Sequence, residues 1–501
     1  MKAHLLYSDQ DFDLERPLPW NQEALVRDLS LDTLFRSMAR NDACVFDVSK
    51  KVILLGFNND IETIRWRQDI LQDCLNQPAV VRRLYALAVE AVAEEKKHWH
   101  WAHTNHPDYI LRYAVELMEA FLGMLRTLRH IADSDAERFV SEGWTALFSV
   151  MKRELDDEYL DSVQDHLKQL HFRRGTLMSA ELGKGNKGDR YVLRQPPARN
   201  DNWFSRIFTQ GPPAYGFTLH PRDEAGARAL SELRDQGIRL VANALGQSAE
   251  HVKSFFNMLR TELAFYVGCV NLHEALALKE QPMRFPAPAE AEECRLSFSG
   301  LYDVCLALSM DQHVVGNDAN ADGKDLVIVT GANTGGKSVF MRSVGLAQLM
   351  MQCGMVVPAE SFCASVRDGL FTHYKREEDA AMKSGKLDEE LSRMSDIIDH
   401  ITPHPMVLFN ESFAATNERE GSEIARQIMT ALLDKRVRIV CVTHLYELAH
   451  GFCEQDAANV LFLRAERQAS GVRTFKLLEG IPLRTSFGED LYGSIFGPEP
   501  R

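Results

Sequence analysis

The stretch KDLVIVTGANTGGKSVF, Lys324 to Phe340, decides the fold class. A short β-rich apolar run feeds a glycine-spaced loop, and SVFMRSVGLAQLMMQCG continues with helical character. The loop fits G-x-x-x-x-G-K-[ST] at Gly331, Gly336, Lys337 and Ser338, in the strand–loop–helix context that a phosphate-binding loop requires. Glycines let backbone amides turn toward phosphate oxygens. Lys337 adds a point charge at the β/γ oxygens, and the Ser338 hydroxyl suits Mg²⁺. The expected nucleotide contacts are Gly331, Ala332, Asn333, Thr334, Gly335, Gly336, Lys337, Ser338 and Val339, with ATP and Mg²⁺ as the ligands. A structural glycine turn is the plain alternative.

The surrounding grammar extends this reading. HPMVLFN is a second buried strand, EGSEIARQIMTALLDKR a helix, and VRIVCVTH a third strand. Leu461 to Ala465 and Thr474 to Leu478 form a hairpin pattern turning at Ser470-Gly471. Strand–helix alternation at this spacing predicts an α/β fold with a mostly parallel sheet. An open sheet of this kind places its ligands beyond the carboxyl ends of its strands. Glu411 follows the second strand there and can polarise an attacking water. Asn410, where such sites usually carry Asp, accepts a hydrogen bond from a Mg²⁺-bound water but adds no charge. It is expected to weaken Mg²⁺ affinity without abolishing the site. His444 ends the third strand, placed either to touch a γ-phosphate or simply to close the strand.

Composition sets the outer limits. The chain has 501 residues, 45% hydrophobic and 26% charged, enough for two to four globular domains. A net charge of -14 argues against a uniformly basic nucleic-acid wrapper, though a local basic arm is compatible with it. The nine cysteines include no CxxC pair, which fits a reducing cytosol and a cytoplasmic protein. No apolar run reaches the roughly 18 residues that a membrane span needs.

Upstream of the loop the character is helical. In Tyr109 to His130, Leu111, Val115, Met118, Leu122, Leu125 and Leu128 form one stripe, and Leu155, Tyr159, Val163, Leu167 and Leu170 repeat the pattern. Long striped helices with charged flanks predict an elongated helical layer. Between His166 and Arg206 glycine, proline and asparagine increase, with one short strand pattern at Arg190 to Leu193. This segment carries nine basic against three acidic residues. Arg173, Arg174, Lys184, Lys187, Arg190 and Arg194 are its candidate DNA contacts, a solvated loop being the alternative. Helix resumes at about Ser248. Glu280 to Glu293, with three prolines, reads as a linker. The expected organisation is an N-terminal segment, 1–65, packed on a helical core over 66–279 with a basic insertion at about 166–241. A linker over 280–293 and a nucleotide-binding domain over 294–501 follow.

Several stretches together resemble the MutS family of DNA mismatch-repair ATPases, of the ABC ATPase class. VVGND (Val314 to Asp318), TGANTGGKSVFMRSVGLAQLMMQCGMVVPAE, LFTHYKREED, Asn410-Glu411 and CVTHLYEL occur in the family's order. The resemblance covers about Cys294 to Ser486, and more weakly the helices from Trp66 to Ala277. It implies a P-loop ATPase domain preceded by an elongated, mainly α-helical lever domain. It also implies a homodimer with nucleotide between two subunits and DNA between helical arms.

The departures shape the functional expectation. Helix begins within about 65 residues of Met1, leaving no room for the family's mismatch-reading and connector modules. Gly385-Lys386 stand where the family's signature Ser-Thr belongs, with Ser384 one place early. Thr416-Asn417 occupy the place of a Thr-Ser-Thr loop, and Ser486-Phe487-Gly488 remain near the C-terminus. The resemblance therefore implies a short MutS-like ATPase acting in DNA repair or recombination on double-stranded or branched DNA, without mismatch specificity. Glu411 and His444 would carry its catalysis, with Ser338 and, through water, Asn410 at the metal. The rival is a nucleotide-gated scaffold that hydrolyses little ATP and docks a protein partner. A nuclease is a third choice, weakened by the lack of a carboxylate cluster.

Overall fold

The computed structural model describes residues 1–98, 106–173, 175–195, 215–332, 335–376, 385–454, 458–467 and 473–483. Four helices open the chain: α1 (Gln22–Asp28), α2 (Leu31–Ala39), α3 (Ala43–Leu54) and α4 (Ile61–Asn76). Then come α5 (Pro78–His98), α6 (Pro107–Asp135), α7 (Glu142–Glu154), α8 (Asp157–Leu170), a hairpin of β1 (Met178–Leu182) and β2 (Gly188–Leu193), and α9 (Glu224–Ala277). The chain divides into two compact units. One holds 1–3, 83–137 and 145–260; the other holds 4–82, 138–144 and 261–501. No helix among the described residues is long and apolar enough to cross a membrane.

In the helical unit, α6 begins at Pro107, where a missing N–H costs nothing. All six residues of its expected stripe are buried, and Phe121 meets Phe256 of α9 at a ring distance of 5.6 Å. The second stripe is corrected. The helix breaks after Glu154, and Asp156 caps α8 by accepting the Tyr159 amide at 2.7 Å. The break moves Leu160 into the core and leaves Tyr159 exposed. Arg129 donates to the Lys152 and Leu155 carbonyls, satisfying oxygens that the end of α7 orphans. Two further readings change. α9 starts at Glu224 rather than Ser248, because its first turns are mostly exposed and rest on helix-favouring Ala, Leu, Arg and Glu rather than on a stripe. The expected lone strand at Arg190 to Leu193 is half of the β1–β2 hairpin, its partner MSAEL too exposed and polar to signal itself.

The second unit holds α1 to α4, the C-terminal part of α9 and the remaining elements. These last are β3 (Ala287–Ala289), β4 (Leu296–Leu301), α10 (Val304–Ser309), β5 (Asn317–Asn320), β6 (Leu326–Gly331), α11 (Lys337–Gln352), β7 (Ser361–Ser365), β8 (Leu370–Tyr374) and α12 (Lys386–Asp399). β9 (Met406–Asn410), α13 (Glu418–Asp434), β10 (Arg438–Val442), α14 (Tyr446–Glu454), β11 (Val460–Arg467) and β12 (Arg473–Glu479) complete it. A six-stranded sheet runs β12-β11-β6-β10-β9-β8, parallel except for the antiparallel β11–β12 pair. Buried on both faces, β6, β9 and β10 are continuous apolar runs, which made them legible. One face buries Met394 and Ile397 of α12, Met429 and Leu432 of α13, and Phe452 of α14. α11, buried along most of its length, packs against β6, β9 and β10.

A second sheet, order β3-β7-β4-β5, was not expected. Its β3 comes from the segment read as a linker, where Arg284 also bridges to Val357. Of its three prolines only Pro288 lies within β3, an edge strand where a missing N–H is tolerated. The β11–β12 hairpin is longer than its sequence pattern, and its turn at Ser470-Gly471 lies outside the described residues. In the N-terminal segment, Glu262 of α9 accepts the amides of Leu5, Leu6 and Phe12, and Asn21 donates to Leu370 of β8 at 2.8 Å.

Candidate functional site

The carboxyl ends of β6, β9 and β10 open on a cavity of about 1000 Å³. The glycine loop turns there because Gly331 and Gly336 adopt φ of 106° and 86°. A Cβ on Gly331 would also stand 2.9 Å from the Ala465 amide of β11, so the loop's first position needs glycine twice over. Lys337 opens α11, is 5% exposed, and donates to the carbonyls of Gly331 at 3.0 Å and Ala332 at 2.9 Å. Burial lowers its pKa, the nearby Glu411 carboxylate opposes this, and Arg473 adds to it. Gly335, Gly336, Ser338 and Val339 line the cavity beside it. Asn333 and Thr334 lie outside the described residues.

The strand-end residues converge on the same place. The Ser338 hydroxyl donates to Asn410 Oδ1 at 2.9 Å, which joins the start of α11 to the end of β9. Glu411 takes φ 53° and donates its amide to the Val442 carbonyl at 2.9 Å, holding the turn against β10. Its carboxylate stands 4.0 Å from His444 Nδ1, and both side chains line the cavity. Loop, acid and histidine, separate in sequence, thus share one concave surface. Two neutral oxygens, Ser338 Oγ and Asn410 Oδ1, adjoin at its edge with Glu411 close by. That donor set suits a hard oxygen-seeking cation such as Mg²⁺.

The remaining wall was not foreseen from the loop. Tyr302, Leu306, Met310, His313, Val314 and Phe475 supply a largely apolar side. VVGND builds part of it. Asn317 accepts the Leu477 amide at 2.7 Å and donates to the Phe475 carbonyl at 3.3 Å, which brings β12 to the cavity. Gly316 packs on the Gly300 backbone, where a Cβ would meet the carbonyl oxygen at 2.6 Å. The signal for this wall was the position of VVGND itself; the apolar residues around it carry no distinctive chemistry.

The candidate DNA contacts belong to the other unit. Lys184 and Lys187 are exposed between β1 and β2. Arg190 faces Glu181 at 3.2 Å and Arg194 donates to Ser179 Oγ at 2.8 Å. Arg173 is exposed after α8, and Arg174 lies outside the described residues. Ser384 and Ser486 to Gly488 also lie outside them, while Gly385 is the N-cap of α12 and Asn417 caps α13 by accepting the Glu420 amide.

Comparison with known proteins gives two family matches: MutS2 N-terminal domain over residues 59–279 and MutS domain V over residues 327–499. Endonuclease MutS2 of Geobacillus thermodenitrificans (strain NG80-2) is 27% identical over 369 residues, 68% of this chain and 46% of that protein. Endonuclease MutS2 of Ligilactobacillus salivarius (strain UCC118) is 32% identical over 308 residues, 58% of this chain and 38% of that protein. DNA mismatch repair protein MutS of Synechococcus sp. (strain CC9902) is 25% identical over 368 residues, 69% of this chain and 40% of that protein. The chain spans about half the length, or less, of these relatives. With a MutS2 N-terminal domain followed by a MutS domain V that carries the loop, the acid and the histidine of the cavity, the chain belongs to the MutS family.

Proposed function

We propose that this protein binds ATP with Mg²⁺ in the cavity, hydrolyses the β–γ bond, and uses nucleotide state to control DNA binding in repair or recombination. The observation that carries the reading is the convergence of Lys337, the Ser338–Asn410 hydrogen bond and the Glu411–His444 pair at one cavity edge. Phosphate oxygens would replace the Gly331 and Ala332 carbonyls around Lys337, in a setting dry enough to strengthen that attraction. Ser338 and Asn410 would hold Mg²⁺, which when bound neutralises phosphate charge. Glu411 would accept the proton of the attacking water, and His444 would contact the γ-phosphate. A nucleotide-stabilised homodimer fits the family, and the basic hairpin is the proposed DNA contact. The endonuclease activity in the relatives' names is left with those relatives.

The scaffold reading keeps one observation in its favour. Asn410 gives the cation an amide oxygen where a carboxylate would add charge. Binding of a labelled ATP analogue and steady-state turnover, each with and without duplex, single-stranded and branched DNA, separate the two readings. Lys337→Ala should lose nucleotide binding. Glu411→Ala should keep binding and lose turnover by about a hundred-fold or more, the range for a removed general base. Equal turnover in Glu411→Ala would remove Glu411 from the mechanism, and binding without turnover in the parent under every condition would establish the scaffold.

A further inference from the structure

The turn after β9 is held in an unfavourable backbone conformation. Glu411 and Phe413 take φ of 53° and 60°, a region where a Cβ crowds the following carbonyl oxygen. Gly421 of α13 makes room for it, since a Cβ there would stand 2.3 Å from the Phe413 carbonyl oxygen. The hold comes from a histidine that does not reach the cavity. His373 of β8 is fully buried, and its ring stacks on Phe413 with centroids 5.1 Å apart. Its Nδ1 lies 2.7 Å from Ser412 Oγ and its Nε2 lies 2.9 Å from the Glu390 carbonyl oxygen of α12.

Nε2 faces an acceptor only, so it carries the hydrogen and donates to α12. In the neutral ring Nδ1 then accepts from the Ser412 hydroxyl. That hydroxyl is also 2.6 Å from the His373 carbonyl oxygen, so one proton serves two acceptors on one residue. Burial raises the pKa of the Glu390 carboxyl, opposed by the Arg393 guanidinium and by the Phe413 amide of the same turn. A continuous chain results: α12, His373, Ser412, then Glu411.

We propose that His373 is a positioning residue for Glu411, fixing the turn that aims the carboxylate into the cavity and making that aim follow α12. The proposal rests on the ATP-hydrolysis reading above. Because His373 is absent from the cavity lining, it acts through Glu411 and leaves nucleotide contacts alone. His373→Asn can retain a partner for Ser412 but cannot reach Glu390, while Ser412→Ala removes the other link.

The full chain is tested as the parent, His373→Asn, Ser412→Ala and the double variant. Each single change should lower kcat by about ten-fold to a hundred-fold, up to the loss that a 1 Å misplacement of a catalytic group can cause, with ATP-analogue Kd within about three-fold. The double variant should fall no further than the worse single, since the two residues act as one unit. Hydrogen exchange of a peptide covering Phe409 to Thr416, with a nonhydrolysable ATP analogue bound, reads the turn without needing turnover. Both single variants should expose it. Parent-like protection in both would overturn the proposal, as would kcat losses that add or that match the unfolded fraction from thermal melts. A parent that binds ATP without turnover would defeat the hydrolysis reading alone, and the exchange result would still decide whether His373 holds the turn. Should His373→Asn fail to fold, Ser412→Ala carries the same expectations.

Discussion

At the residue scale the question is what Asn410 does to the site. Its side-chain oxygen takes the Ser338 hydroxyl at 2.9 Å, so the geometry of a carboxylate is kept without its charge. Asn410→Asp should therefore lower the Mg²⁺ concentration for half-maximal ATP turnover by on the order of ten-fold, a charge beside a divalent ion counting for more than a dipole. In a Mg²⁺ titration at several pH values, the gain should shrink at low pH and low Mg²⁺. There the new carboxylate faces Glu411 with no cation between them, and like charges side by side repel. An unchanged Mg²⁺ requirement would mean that Asn410 does not face the cation. Much of this chemistry was legible in sequence. Gly331, Lys337, Ser338, Asn410, Glu411 and His444 are residue types whose spacing announces a site; Lys337, Ser338, Glu411 and His444 line one cavity, and Asn410 is bonded to Ser338 beside it. Tyr302, Met310 and Phe475 were not legible because an apolar wall residue looks like any core residue until the backbone brings it round. His373, inside LFTHY, gave no sign of its two hydrogen bonds for the same reason.

At the element scale the informative join is between α9 and the first dozen residues. Glu262, 0% exposed, accepts three backbone amides, an arrangement that suits an anion. Burial outweighs them and pushes its pKa from 4.5 up to about 7, with the Asp11 carboxylate adding to the rise. The folded state thus binds this proton more tightly than the unfolded chain. Its stabilising effect is complete below about pH 4.5 and is lost as pH rises through 7. Glu262→Gln is neutral throughout, so thermal melts of both proteins from pH 5 to 8.5 isolate the effect. The difference in stability should move toward the Gln variant by roughly 3 kcal/mol across that range. A difference that holds constant would show that Glu262 does not titrate there, and one moving toward the parent would show that the three amides win. Elements that signal themselves by an apolar period, such as α6, β6 and β10, were legible for the reason that they are buried. α1 to α3, the four-stranded sheet and the first turns of α9 were not. They depend on partners distant in sequence, as Asn21 does on Leu370, or on helix propensity without a stripe.

At the scale of the whole molecule, an acidic protein is proposed to hold a polyanion. A net charge of -14 repels DNA at long range, so contact has to come from a local positive field. The β1–β2 hairpin supplies one, but its cations are unequal. Arg190 faces Glu181 at 3.2 Å and Arg194 is engaged with Ser179 Oγ, whereas Lys184 and Lys187 stand exposed at the turn. A paired guanidinium gives up less to a phosphate than an exposed ammonium does, although a surface pair in water is weak and does not remove the arginine altogether. Each phosphate contact adds about 0.9 to the slope of log affinity against log salt on duplex DNA. Replacing Lys184 and Lys187 together with Gln should then reduce that slope by about 2. Replacing Arg190 and Arg194 should reduce it by less. The measurement is fluorescence anisotropy over a salt series, on matched, mismatched and branched duplexes, with a nonhydrolysable ATP analogue present. Phosphate contacts carry no sequence information, so the loss should be the same on matched and mismatched DNA. A slope unaffected by the double lysine change would place the DNA contact elsewhere in the chain. A clear preference for the mismatched duplex would show that bases are read, which charge on a hairpin turn does not explain.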